Sequence, residues 1–182
     1  EALEVMAEAV EEALEIEATY APAKIGLAKA AAGRFDEKTR EWAEQVIDDT
    51  PDEALEAHLL LARAALEDGA IEDGEQSLDA ALELAEEHDR SPLEIYALKA
   101  SVDLLRGTTE SPWTARALGI NPGYGEAYAT PAYFYVITRR YREAIALLRR
   151  AVEIEPDLYS AHSELGVNLL PENKIDEAQR HL

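Results

Sequence analysis

Small residues recur along the chain at an almost constant interval, each inside a stretch whose apolar positions have helical spacing. Five of them lie 34, 35, 35 and 34 positions apart: Ala28, Ala62, Ala97, Ala132 and Gly166. A bulky apolar series accompanies them, about sixteen places after most of the small residues: Val10, Trp42, Leu78, Trp113, Leu148 and Leu182. A small residue lets two helices approach closely, and a bulky one fills the gap to the next pair. The pattern predicts repeated pairs of helices and not one globular core.

The interval divides residues 1–182 into one array of repeats. The predicted boundaries give a half repeat at 1–19, full repeats at 20–54, 55–89, 90–124 and 125–158, and a truncated repeat at 159–182. Because both ends fall inside a repeat, we expect the chain to be a piece of a longer protein or the ordered part of one.

Local signals place the helices of the third and fourth repeats. Ser91 is expected to cap a helix over residues 93–106, with a proline in its first turn. Ser111, which precedes a proline, predicts a second cap and a short helix that ends near Ile120. Pro131 lies inside the next helix, where it removes a backbone donor and predicts a local bend.

The positions that share this register resemble those of the tetratricopeptide repeat, whose signature combines aromatic, small and proline slots. The clearest match runs through Tyr128, Ala132, Tyr135, Tyr141, Ala144, Leu148, Ala151 and Pro156. The resemblance extends over essentially the whole chain. It implies an all-α fold, a right-handed superhelical solenoid of antiparallel helix pairs like those of bacterial arrays.

In the family that the chain resembles, the first helices of successive repeats line a concave groove that holds a peptide or a helix of a partner. Carried over by position, this groove would include Lys29, Arg63, Leu98, Tyr128, Tyr133, Ile137 and Val167. The set is mostly apolar towards the C-terminus, and tyrosines commonly anchor interfaces. Ordinary packing is the alternative for each residue taken alone. The resemblance thus predicts a non-enzymatic scaffold with a protein or peptide partner.

Two other functions stay open. Residues 120–170 resemble repeat regions that precede a zinc-peptidase-like domain in some bacterial proteins, so the chain could be an accessory region of a larger enzyme. No zinc motif lies within the chain itself. Self-assembly into a homo-oligomer through the terminal repeats is compatible with either function.

Charge is concentrated in the first part of the chain. Residues 1–110 contain 29 acidic and 9 basic residues, whereas residues 111–182 contain 9 and 8. The simplest interpretation is a solvated acidic surface, and the 5 lysines against 12 arginines favour a source adapted to high salt. A basic partner is the functional alternative. Nucleic acid is not expected as a direct partner, because phosphate binding needs a clustered positive face.

One basic cluster stands out: Arg139, Arg140, Arg142, Arg149 and Arg150. We interpret it as a solvated outer face, with a docking patch for an acidic surface as the alternative. Arg149 is expected to pair with Glu153, four residues further along the same helix.

Residues that could carry catalysis or bind a metal are not grouped in the sequence. The chain has no cysteine, and its four histidines are scattered outside any His-Glu-x-x-His pair. His58 and His162 occupy aromatic slots, which indicates a packing role. We therefore predict no catalytic residue, no metal site and no cofactor.

No apolar run approaches the length of a membrane span, so no direct membrane insertion is expected. A soluble protein is predicted. A cytoplasmic location is favoured, and a periplasmic one stays open.

Overall fold

The computed structural model describes residue 10, residues 12–32 and residues 38–182. Within these ranges every regular element is helical, which confirms the all-α prediction. Most of the predicted half repeat at 1–19 lies outside the described residues.

Residues 12–16 are helical, and ten α-helices with bounded ends follow. They are α1 (Ala21–Ala32), α2 (Lys38–Asp49), α3 (Leu55–Glu67), α4 (Ile71–Glu87), α5 (Leu93–Leu105), α6 (Pro112–Ile120), α7 (Glu126–Ile137), α8 (Tyr141–Ile154), α9 (Tyr159–Leu169) and α10 (Ile175–His181). A single turn of 3-10 helix, Pro51–Glu53, joins α2 to α3.

The chain forms two compact units, residues 1–90 and residues 91–182, which we call unit 1 and unit 2. In unit 1, α1 packs on α2, α2 on α3 and α3 on α4, and α1 also contacts α3. In unit 2, α5 packs on α6 and α7. From there α7 packs on α8, α8 on α9 and α9 on α10. Packing on near neighbours along the chain is the arrangement that helical repeats use.

The recurring small residues lie where helices meet. Ala28, Ala62, Ala97 and Ala132 are completely buried, and Gly166 is also buried. At Gly166 a β-carbon would come within 2.6 Å of the Leu182 side chain. The absence of a side chain at Gly166 therefore lets Leu182 pack directly against α9.

Unit 1 contains a buried lysine. Lys24 on α1 is 5% exposed, and its Nζ lies 2.5 Å from Oδ2 of Asp49 at the end of α2. The apolar core around this part of α1 is built largely from small side chains: Ala21, Ile25, Ala43, Val46, Ala54 and Ala57. The ion pair fastens α1 to α2 beside that core.

The core of unit 2 draws on five of its helices. Leu104 of α5 meets Tyr135 of α7, and the Tyr135 hydroxyl donates to the Leu104 carbonyl oxygen at 3.3 Å. Burial raises the pKa of this hydroxyl, while the nearby Arg140 guanidinium opposes the rise. The same core includes Leu148 of α8, Leu165 and Leu169 of α9, and Ala178 of α10.

Of the two helix caps predicted from the sequence, one is confirmed and one is wrong. Ser111 caps α6, and its hydroxyl accepts a hydrogen bond from the Trp113 backbone N–H, as predicted. The cap predicted at Ser91 is wrong, because Pro92 takes the cap position of α5 and makes no side-chain cap bond. Pro131 lies inside α7, whose helical assignment continues on both sides of it.

Among the described residues, no helix combines the length and the apolar character that crossing a membrane requires.

We expect the Lys24–Asp49 pair to respond asymmetrically to mutation. Asp49→Asn leaves a buried cation without its partner and should lower the free energy of unfolding by about 1–3 kcal/mol. Lys24→Met leaves a carboxylate that is already partly hydrated, and should cost less than about 1 kcal/mol. Urea unfolding followed by circular dichroism measures both. Asp48→Asn, at the exposed neighbouring position, is the matched control, and an equal loss for Asp48→Asn and Asp49→Asn would contradict the assignment.

Candidate functional site

Unit 1 contains a cleft of about 700 Å³, which lies within the range typical of ligand sites. Its apolar wall comes from α1 and the start of α3: Ala21, Pro22, Ile25, Gly26 and Leu55. Pro22 and Leu55 keep part of their surface accessible to solvent. Its polar rim consists of Lys29, Asp52, Glu53, Glu56, His88 and Arg90. The 3-10 turn and the residues that follow α4 therefore close the cleft on its polar sides.

The rim contains both paired and unpaired charges. Lys29 Nζ lies 2.5 Å from Glu56 Oε2 on the surface, where such a pair contributes about 0–1 kcal/mol. The side chains of Asp52, Glu53 and Arg90 make no ion pair with any described residue. Unit 1 as a whole has 26 acidic and 7 basic residues, a net charge of −19. The cleft thus combines apolar surface with two carboxylates that no described cation neutralises.

Of the predicted groove residues in unit 1, the structure places Lys29 in this cleft. Arg63 lies on α3, half-buried, and is not part of the cleft lining. It has an interaction of its own within the structure. Leu98 of α5, in unit 2, is completely buried and offers no surface to a partner.

The remaining predicted residues lie in unit 2 and divide into two groups. Ile137 on α7 and Val167 on α9 are 39% and 54% exposed, and Tyr133 is half-buried one turn before Ile137. Tyr128 instead packs against the core, with the Arg150 guanidinium 5.5 Å above its ring. Five residues of α-helix turn the side chain by about 140°, so Tyr128 and Tyr133 lie on different sides of α7.

The arginine cluster makes contacts within the chain. Arg140 lies 4.1 Å over the Tyr135 ring and bonds to Glu143 at 3.1 Å. Arg149 forms a fork on Glu177 of α10 at 2.7–3.0 Å, so its predicted pairing with Glu153 is wrong. Opposite charge on a neighbouring helix satisfies this guanidinium in place of the i+4 carboxylate.

Two histidines that are distant in sequence lie together in unit 2. Nδ1 of His162 on α9 is 2.8 Å from Nδ1 of His181 on α10. The sequence did not predict this contact, because the two histidines are nineteen positions apart and no motif links them. His58 of α3 is half-buried, and this burial lowers its pKa.

Across the described ranges, no three histidine or carboxylate side chains are placed to hold one metal ion together.

No protein-family model matches the sequence, and no curated protein matches it either. Solved structures do match the fold. YrrB, described as "a TPR protein with an unusual peptide-binding site", has a TM-score of 0.59 and 15% identity over 96% of this chain and 89% of its own. The structure of MamA matches with a TM-score of 0.52 and 18% identity, over 88% of this chain and 87% of MamA.

Human IFIT1, solved as a dimer with m7Gppp-AAAA, gives a TM-score of 0.64 and 18% identity. The match covers 96% of this chain but 44% of IFIT1. At such identities these likenesses establish the architecture and not the ligand. The chain therefore has the fold of the tetratricopeptide repeat proteins.

Proposed function

We propose that the chain is a non-enzymatic scaffold for protein interactions whose unit 1 cleft binds an extended peptide segment. The segment would place an apolar side chain against Pro22 and Leu55 and a lysine or arginine against Asp52 and Glu53. The cleft carries this proposal, because it combines accessible apolar surface with two carboxylates, Asp52 and Glu53, that make no ion pair with any residue in the described ranges.

The apolar wall would supply affinity. Burying apolar surface contributes about 25 cal/mol per Å², and the cleft is large enough for one or two side chains of a peptide. The wall belongs mainly to one rigid helix, α1, which packs on both α2 and α3. A wall fixed in this way lowers the ordering cost of binding.

The carboxylates would supply specificity and speed. The net charge of −19 in unit 1 attracts cationic segments over a distance of about a Debye length. Asp52 and Glu53 would then fix the position of one cation. The peptide-binding site named in the description of YrrB supports a peptide ligand for this fold.

A filled cleft should not bind. Gly26 lines the cleft, and among the described residues the nearest atom to a β-carbon there is Val10 Cγ2 at 4.0 Å, so Gly26→Phe adds a ring at the cleft wall. Peptides would first be selected from a displayed random library on the wild-type chain, and their affinities measured by fluorescence anisotropy. We expect Gly26→Phe to weaken binding at least tenfold. Gly119→Phe, at an unobstructed glycine of α6, is the matched control and should bind normally. Unchanged affinity in Gly26→Phe with intact helical circular dichroism would overturn this location.

Neutralising the rim tests the cationic side chain separately. Asp52→Asn with Glu53→Gln should weaken the selected peptides about three- to thirtyfold and flatten their salt dependence between 50 and 500 mM NaCl. Glu44→Gln with Asp48→Asn removes the same two charges from the exposed side of α2, and should change affinity less than about twofold. Equal effects of the two pairs would show that net charge acts without this rim.

The exposed apolar side chains of unit 2 would give it a separate surface for the same kind of function. Ile137 follows Tyr133 by one turn on α7, and the 43% exposed Leu170 directly follows α9, three residues after Val167. An apolar peptide would bury them. Peptides selected separately on the Gly26→Phe variant, which alters the unit 1 cleft, should then bind at least fivefold more weakly when Ile137→Asp and Val167→Asp are added. Ile120→Asp, at a 56% exposed position of α6, is the control, and loss of affinity there would mark the effect as nonspecific.

A further inference from the structure

The histidine pair of unit 2 has the geometry of a linear hydrogen bond. Its two Nδ1 atoms are 2.8 Å apart, and the ring centres are 5.0 Å apart. An imidazole nitrogen lies about 1.1 Å from its ring centre, so both nitrogens fall close to the line that joins the centres. Two nitrogens 2.8 Å apart that pointed at a shared metal about 2.0 Å away would bring the centres to about 4.3 Å. The separation therefore fits a proton between the rings and not a metal.

A third contact fixes the direction of this bond. Nε2 of His162 lies 2.9 Å from the carbonyl oxygen of Pro156. A carbonyl oxygen can only accept, so His162 carries its proton on Nε2. In neutral His162, Nδ1 is then an acceptor. The His181 Nδ1–H must be the donor between the two rings.

We propose that His162 and His181 form a proton-sensitive latch that holds α10 against α9. The neutral pair forms one bond. One added proton still permits a bond, because an imidazolium Nδ1–H can donate to the other ring's Nδ1. Two imidazolium ions would direct two N–H groups and two positive charges at each other across 2.8 Å, and the contact opens.

The charges around the pair set its response. On α10, Glu177 favours protonation of His181 and Arg180 opposes it. Arg149 of α8 and His162 of α9 oppose it as well. Burial is the largest effect, and together they lower the pKa of His181 below its ordinary value of 6.5. The hydrogen bond from Arg149 lowers the pKa of Glu177 below its ordinary value of 4.5, so its carboxylate is predominantly ionised at pH 5.

The sign of the linkage follows from these directions. Well above pH 6.5, His181 is neutral whether or not α10 is docked, and the latch contributes fully. As the pH falls through 6.5, His181 takes up a proton when α10 is undocked and resists it when α10 is docked, so docking weakens. The loss levels off once the pH is below the lowered pKa of docked His181.

Release of α10 would uncover apolar surface. Ala178 of α10 packs in the core that contains Leu165 and Leu169 of α9. The side chain of Leu182, which follows α10, lies against Gly166 of α9. At acidic pH these side chains of α9 would become accessible, while the earlier helices of unit 2 keep their packing on one another.

Hydrogen–deuterium exchange of residues 175–182 tests the latch on the intact chain. After correction for intrinsic rates, protection in α10 should fall about three- to thirtyfold from pH 7.5 to 5.0, since one proton resisted between pH 6.5 and 5.0 gives at most about thirtyfold. Protection in α7 should change little. Arg149→Gln removes the fork on Glu177, so it should lower protection in α10 at both pH values. The fall in protection between pH 7.5 and 5.0, which we call the step, should remain. His58→Gln should leave the step unchanged. His181→Phe should abolish the step, and protection that is independent of pH in the wild type, or a step that persists in His181→Phe, would overturn the proposal.

Nitrogen-15 NMR of the histidine rings gives a second readout that does not depend on a variant. At pH 7.5 it should find the proton of His162 on Nε2 and that of His181 on Nδ1. Any other pair of tautomers would show that the rings do not share this bond in solution.

Discussion

The close approach of neighbouring helices at small side chains is the constraint on which this structure depends. Ala28, Ala62, Ala97 and Ala132 have no exposed surface, and each has only a methyl group as its side chain. Because each helix packs mainly on its neighbours along the chain, stability is close to a sum of local contacts. The same packing leaves the cleft of unit 1 and the exposed helix faces of unit 2.

The two units use charge in different ways. Unit 1 has a net charge of −19 and unit 2 of −2, from 26 and 12 acidic residues against 7 and 10 basic ones. In unit 2, Arg149 pairs with Glu177, Arg140 pairs with Glu143 and stacks on Tyr135, and Arg150 lies over Tyr128. Unit 1 has too few cations for that, and leaves carboxylates such as Asp52 and Glu53 available. Self-repulsion in unit 1 is the cost of keeping them available.

The sequence predicted what depends on period and missed what depends on contacts between helices. The period of the small residues predicted an all-helical fold, and a local signal predicted the cap at Ser111. Both predictions are confirmed. The choice of Glu177 over Glu153 by Arg149, and the meeting of His162 with His181, depend on how one helix lies against the next. Leu98 occupies a predicted groove position yet is buried, because the period identifies a position within a repeat but not how neighbouring helices cover it. The cleft beside Lys29 needs loop conformations after α2 and α4 that no periodicity encodes.

The same nearest-neighbour logic explains why one hydrogen bond could govern α10. The position of α10 depends on its contacts with α8 and α9. The described contacts that dock it include Ala178 in the core, Leu182 against Gly166, the fork of Arg149 on Glu177, and the bond between the two imidazoles. Of these, the imidazole bond is the one on which protonation of His181 acts directly. A change of pH from 7.5 to 5 therefore acts on α10 through that bond, and the rest of unit 2 remains packed around Leu148 and Leu165.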